Sequence, residues 1–170
     1  GAEILGMTNC LNFASPEAPE KFYELEQSIK GLADTCRSLD CPVVSGNVSL
    51  YNETASGQIY PTPLVVTAGL LVNRNRRLAS GNARSGDLLC VVGDICGSLG
   101  ASRYQVMKNG RPLGKTVGPD HDKETAFRER AMKTASSGAA SSGRVVAGGG
   151  LAIAIANEAI ASDRGINVDI

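Results

Sequence analysis

An α/β (α+β) sheet protein is what this sequence predicts, and three features carry that expectation. Residues 17–39 place Phe22, Leu25, Ile29, Leu32, Cys36 and Leu39 at alternating spacings of three and four, the mark of an amphipathic helix. Two apolar β-rich runs follow, one opening at Pro42-Val43-Val44 and one covering 64–72, LVVTAGLLV. Later segments then alternate short apolar runs with helical patterns, as sheet proteins with crossover helices do.

Taken in order, the helix over 17–39 is expected to start at Ser15 as N-cap. Pro16 would take the first helical position, with Glu17 and Glu20 near the positive end of the helix dipole. Lys21, Glu24, Lys30, Asp34 and Arg37 occupy the other face and belong in water. Pro42 stops the helix and Val43-Val44 open a strand, so 42–46 and 64–72 are expected to share a sheet beneath it. Arg74, Arg76 and Arg77 read as a solvated connector. The stretch 80–87, SGNARSGD, reads as a linker and marks a domain boundary. Leu88 to Val92 reads as a buried strand, and Gly97 to Gly100 as a glycine-containing turn into a helix near 101–108. Residues 109–121 form a loop, 122–133 a charged helix, and 151–162 a helix closed by Gly165. Ile166 to Ile170 opens a further strand.

Composition sets bounds on function. The chain has 170 residues, 42% of them hydrophobic but only 4% aromatic and none of them Trp, so its core is expected to be aliphatic. Seventeen basic and seventeen acidic side chains cancel, which leaves no electrostatic case for nucleic acid or an anionic membrane. No run approaches the roughly 20 apolar residues of a membrane span. Glu3 and Asn9 interrupt any apolar stretch at the start, so no signal peptide is read there. The five cysteines are Cys10, Cys36, Cys41, Cys90 and Cys96. Their spacings match no zinc pattern, and Cys36 and Cys41 flank a helix end. Reduced, mostly buried thiols in a cytoplasmic protein are the expectation.

The stretch with most chemistry is 42–54, PVVSGNVSLYNET. A strand-like run breaks into Ser45-Gly46-Asn47-Val48-Ser49, which gathers backbone N–H groups, hydroxyls and an amide at a strand end. Glycine lets backbone approach a ligand. Asn and Ser offer neutral oxygens suited to a hard cation or a phosphate. As physics alone the same residues make a polar turn. No G-x-S-x-G, H-E-x-x-H or Walker sequence is present, and nothing supports covalent catalysis.

Further strings stand around that turn. Gly6-Met7-Thr8-Asn9-Cys10-Leu11-Asn12-Phe13 with Ser15-Pro16-Glu17 lies upstream, and Tyr60-Pro61-Thr62-Pro63 and Gly69-Leu70-Leu71 lie downstream. In this order they resemble the synthetase subunit of the phosphoribosylformylglycinamidine synthase family, which is similar in turn to aminoimidazole ribonucleotide synthetases. The likeness is close across 6–71. It is looser through Gly86-Asp87, 97–104 (GSLGASRY) and Gly149-Gly150-Leu151-Ala152.

The resemblance implies a partial chain. Residues 1–79 would be the latter part of a second A-type domain, which carries the ATP and substrate site. Residues 80–170 would be the front part of a second B-type domain. It implies ATP-dependent conversion of formylglycinamide ribonucleotide to formylglycinamidine ribonucleotide in purine biosynthesis. ATP activates the formyl amide oxygen as a phosphate-like leaving group. Ammonia from a glutaminase subunit or domain then displaces it, with the remaining synthetase domains as partners. Carried over by position, Asn9 and Gly46 are ATP contacts, Asn47 is a Mg²⁺ ligand and Ser49 is a substrate contact. No catalytic residue falls in the chain, because the family's proposed catalytic histidine lies upstream. His121 sits in a variable loop.

One departure stands out. Where the family shows Ala-His-Asp-x-Ser-x-Gly-Gly-Leu, residues 143–151 read GRVVAGGGL, with Arg144-Val145 for His-Asp and Gly148 at the acidic or polar position. This raises a reading from another class, a non-catalytic structural or assembly domain. A related ATP enzyme such as an aminoimidazole ribonucleotide synthetase is the other alternative.

Overall fold

The computed structural model describes residues 1–95 and 97–168. The chain divides into two compact units, Ala2–Val72 and Asn73–Ile170 with Gly1. Both strands and helices are present, as an α/β (α+β) protein requires.

In the first unit β1 (Glu3–Asn12) leads into α1 (Pro19–Ser38) and then β2 (Val43–Ser49). β1 and β2 are parallel, so the connection must cross over, and α1 is that crossover. A two-residue hairpin, β3 (Glu53–Thr54) and β4 (Gly57–Gln58), precedes β5 (Thr62–Leu70). β5 runs antiparallel on the other edge of β1, and the sheet order is β2-β1-β5. The two apolar runs named above thus flank a central strand that the sequence pattern does not mark. Gly6, Asn9 and Asn12 all disfavour a strand. Pairing on both sides overrides that preference.

Helix α1 starts later than Ser15. Ala18 is the N-cap and Pro19 takes the first turn. The Ser15 hydroxyl instead accepts from the Glu17 backbone N–H at 3.3 Å. The chain contains two candidate prolines, and the residue before each is pushed away from helical geometry. Ala18, at ψ 125°, shows that restriction, and so the helix begins at the second proline. Of the apolar stripe, Leu25, Leu32, Cys36 and Leu39 are half-buried, while Phe22 and Ile29 are exposed. The helix lies over a groove rather than tight on the sheet. Its residues Leu32 and Cys36 line a cavity of about 390 Å³ with Met7, Cys41, Val65 and Thr67. The buried apolar side chains in this unit are Met7, Leu11, Phe13, Ala14 and Cys41, so Phe13 joins the expected aliphatic residues.

The second unit holds α2 (Arg103–Asn109), α3 (His121–Ser137) and α4 (Gly150–Ser162). Ser102 and Asp120 cap α2 and α3 through their side chains, accepting from Gln105 and Lys123. Helix α4 ends at Asp163, left-handed at φ 50°, two residues before Gly165. Arg74–Arg76 form a single exposed 3₁₀ turn. Leu88–Val92 is not a buried strand. It is irregular and exposed, with Leu88 at 90%. A strand needs a hydrogen-bonded neighbour, and no described residue of this unit forms one. Residues 166–168 carry no strand either, and the rest of that expected strand and Cys96 lie outside the described residues. Among the described cysteines only Cys41 is buried. Cys10 and Cys36 are half-buried and Cys90 is exposed, against the expectation of mostly buried thiols. No helix among the described residues is long and apolar enough to cross a membrane.

Candidate functional site

The pairing of β1 with β2 decides which polar groups meet. After an irregularity between Met7 and Thr8 the register runs Thr8–Ser45, Asn9–Gly46, Cys10–Asn47, Leu11–Val48 and Asn12–Ser49. Alternation along a strand sends neighbours to opposite faces. The two strands therefore present two different sets of groups.

Asn9 and Gly46 share the face that also carries Val65, the residue of β5 opposite Asn9. The Asn9 amide lies directly over Gly46. A Cβ built on Gly46 would stand 2.7 Å from Asn9 Oδ1, closer than such atoms come. Any side chain at this position would require the Asn9 amide to move. Among the described residues no side-chain hydrogen bond occupies the Asn9 amide, and the residue is half-buried.

The opposite face carries a ladder of polar pairs. Ser45 Oγ donates to Thr8 Oγ1 at 2.7 Å. Asn47 Nδ2 makes a weak contact to Cys10 Sγ at 3.8 Å. Asn47 is exposed, and its amide oxygen accepts from no described residue. Asn12 Nδ2 donates to Thr62 O at 3.3 Å and ties this face to β5.

Ser49 stands at the end of the ladder. Its hydroxyl donates to Asn52 Oδ1 at 3.1 Å. Asn52 Nδ2 in turn donates to Ser49 O at 2.9 Å and to Phe13 O at 3.0 Å. Tyr51, left-handed at φ 60°, turns the chain between them. Its hydroxyl donates to Glu17 Oε1 at 3.2 Å, and the carboxylate beside it raises the phenol pKa.

The four residues singled out in the sequence thus fall into two pairs. Asn9 and Gly46 meet on one face, while Asn47 and Ser49 lie on the other. Thr8, Asn12 and Asn52 join them and received no role from the sequence. Strict alternation in TNCLN and VSGNVS is the signal that would have found the first two. His121, expected in a loop, opens α3. No group of three His, Cys, Asp or Glu among the described residues could hold a metal ion.

In the second unit Arg144, one of the departures noted above, is bound up in structure. Glu158, only 8% exposed, accepts from Ser80 Oγ and Gly81 N–H at 2.8 Å each, Ser142 Oγ at 2.5 Å, and Arg144 Nε and Ser162 Oγ at 3.2 Å. Burial pushes the Glu158 carboxyl up. Its hydrogen bonds from Ser142, Gly81, Ser80 and Arg144 more than offset that and bring it down to about 2.

Residues 1–71 match the family described as AIR synthase related protein, N-terminal domain. All 170 residues align at 39% identity with phosphoribosylformylglycinamidine synthase subunit PurL of Moorella thermoacetica, and the chain spans 23% of that protein's length. Two solved structures from Thermotoga maritima are 38% identical over 41% of this chain. One is PurLQS, with a TM-score of 0.37 over 12% of the matched chain. The other is phosphoribosylformylglycinamidine synthase II, with a TM-score of 0.36 over 11%.

Proposed function

The chain belongs to the phosphoribosylformylglycinamidine synthase family, as a segment spanning 23% of its relative's length, and from that premise we propose that it supplies part of the ATP and substrate site of an ATP-dependent carbon–nitrogen ligase in purine biosynthesis. The reaction proposed is conversion of formylglycinamide ribonucleotide to formylglycinamidine ribonucleotide. A glutaminase partner supplies the ammonia, the remaining synthetase domains complete the site, and the setting is cytoplasmic. Residues 1–79 take the A-type role and residues 80–170 the B-type role.

The observation that carries this reading is the β1–β2 ladder. Two asparagine amides are left without strong protein partners, on strands whose neighbours are locked. On the Gly46 face, an exposed glycine with the Asn9 amide over it suits a nucleotide that must lie against the strand. Asn47 offers one neutral oxygen on the other face of β2, an edge strand, so a cation on the nucleotide's phosphates would reach it around the free edge. Magnesium takes few protein ligands and fills its octahedron with water and substrate phosphates, so one amide oxygen fits a share of such a site. Among the described residues no group of three His, Cys, Asp or Glu could hold a metal ion, so the proposed cation would rely on phosphates and water for its remaining ligands. Bound Mg²⁺–ATP would supply phosphoryl transfer to the amide oxygen. The chain's own part is to position: Asn9 and Gly46 on the nucleotide, Asn47 on the cation, Ser49 on the ribonucleotide.

Residues 80–170 are proposed to act structurally. Arg144 holds Glu158 instead of offering the His-Asp pair of the family motif. An aminoimidazole ribonucleotide synthetase is less well supported, because the likeness to PurL runs through the whole chain.

The complete protein carrying this segment should form formylglycinamidine ribonucleotide from formylglycinamide ribonucleotide, ATP, Mg²⁺ and ammonium. The 170 residues alone should show no turnover. A complete protein that binds ATP yet leaves formylglycinamide ribonucleotide unchanged, while closing an aminoimidazole ring on another ribonucleotide, would overturn the reading.

A further inference from the structure

We propose that Cys36 and Cys41 form a redox-responsive thiol pair, closing into an intrachain disulfide when a peroxide oxidises them. The geometry is set by how α1 ends. Asp40 is left-handed at φ 49°. Its N–H donates to Arg37 O at 3.3 Å, and the Cys41 N–H donates to Cys36 O at 2.9 Å. These two bonds define a Schellman cap, in which the side chains on either side of the six-residue closure meet. Cys36 and Cys41 occupy those two positions.

The bond from Cys41 N to Cys36 O also limits the distance between the two Cα atoms. A Cα lies about 2.4 Å from its own carbonyl oxygen and about 1.5 Å from its own nitrogen. With 2.9 Å between nitrogen and oxygen, the two Cα atoms stand at most about 6.8 Å apart. Disulfides span about 4.4–6.8 Å between Cα atoms. The Cα separation therefore lies within the span that a disulfide bridges.

The thiols are also placed to react. Both line the 390 Å³ groove under α1, which gives a small oxidant a path to them. Cys36 is the more accessible, half-buried where Cys41 is 4% exposed. Its thiol donates to Met7 Sδ at 3.1 Å, so its sulfur already points into the groove. Cys36 sulfur attacks one peroxide oxygen and the O–O bond breaks. Sulfenic acid forms on Cys36 and the other oxygen leaves as water. Cys41 sulfur then attacks Cys36 sulfur, the S–O bond breaks, and a second water leaves. Two thiols lose two electrons and one peroxide becomes two waters. The product ties the end of α1 to the residue that leads into β2, the strand of Gly46, Asn47 and Ser49.

Trypsin separates the two cysteines, cutting after Lys30, Arg37 and Arg74. The chain is treated with hydrogen peroxide, alkylated without reduction, digested and weighed. Peptides 31–37 and 38–74 should appear joined, lighter by two hydrogens than their sum, and dithiothreitol should part them. In the Cys41→Ser variant dimedone should label Cys36, because the resolving thiol is gone. Links that instead join Cys10 or Cys90, peroxide that converts Met7 to sulfoxide while both thiols stay free, or dimedone that labels Cys36 equally in unaltered protein would each overturn the proposal.

Discussion

Replacing Glu158 by Gln isolates one carboxylate that holds the second unit together. Oε1 accepts from Gly81 N–H, Ser142 and Ser162, while Oε2 accepts from Ser80 and Arg144 Nε. Hydroxyls can reverse and accept from an amide NH₂, but Gly81 N–H and the Arg144 guanidinium can only donate. One of them sits on each oxygen. Whichever way a glutamine turns, its NH₂ faces a donor. The magnitude follows from the lowered pKa, 4.5 to about 2, which corresponds to roughly 3 kcal/mol of preference for the charged form in the fold. Folding lowers this pKa. The stabilisation is therefore complete above about pH 4.5 and is lost as pH falls toward 2. Urea denaturation followed by circular dichroism should show Glu158→Gln less stable by about 2–3 kcal/mol at pH 7. The gap should close as pH falls to about 2, where half of the unaltered carboxyl is itself protonated. A gap under about 1 kcal/mol at pH 7, or one that persists unchanged at pH 2, would refute the reasoning.

Three other substitutions separate packing from binding. Leu32→Ala should cost about 1–2 kcal/mol in chemical denaturation, below the full cavity cost, because Leu32 is only half-buried beside the groove. Gly46→Ala should leave stability within about 1 kcal/mol, since the Asn9 side chain can give way. In the complete enzyme it should raise the KM for ATP roughly tenfold, which titration of initial rates with ATP checks. Ser49→Ala loses its bond to Asn52 and should cost about 0.5–1.5 kcal/mol. If Ser49 also touches substrate, the KM for formylglycinamide ribonucleotide rises in the complete enzyme. An unchanged KM would assign the residue to the corner alone.

The first unit was more legible than the second, for physical reasons. The stripe over 17–39 marks α1 because a helix of that length repeats its pattern many times. Its start is not legible in the sequence, because Pro16 and Pro19 both fit a first turn and only the fold shows which is used. β5 is a run of branched residues and reads directly, but in β2 only Val43-Val44 read as strand; Ser45 to Ser49, expected as a polar turn at a strand end, continue the strand because they pair with β1. β1 could not be read, since its strand state comes from two neighbours and not from its own residues. Leu88–Val92 shows the converse, strand composition without a partner. At the site, the strings placed Asn9, Gly46, Asn47 and Ser49 near one another. They did not show that the residues divide between two faces, which depends on the register after Met7. Glu158 was read only as part of a helix. Its five donors come from three separated stretches of chain, and no local pattern announces such a convergence.

The central claim is that Asn47 serves a cation and not the fold. Mg²⁺ dependence of the complete enzyme, measured for Asn47→Leu and Asn47→Asp, tests it most directly. Asn47 is exposed, and among the described residues its one side-chain hydrogen bond, to Cys10 Sγ, is weak, so both variants should keep their melting temperature. Leucine removes the ligand oxygen at similar volume and should lose most activity, with the Mg²⁺ requirement raised. Aspartate keeps an oxygen and should retain more activity. A leucine variant that melts early, and whose residual activity shows the ordinary Mg²⁺ response, would contradict the account.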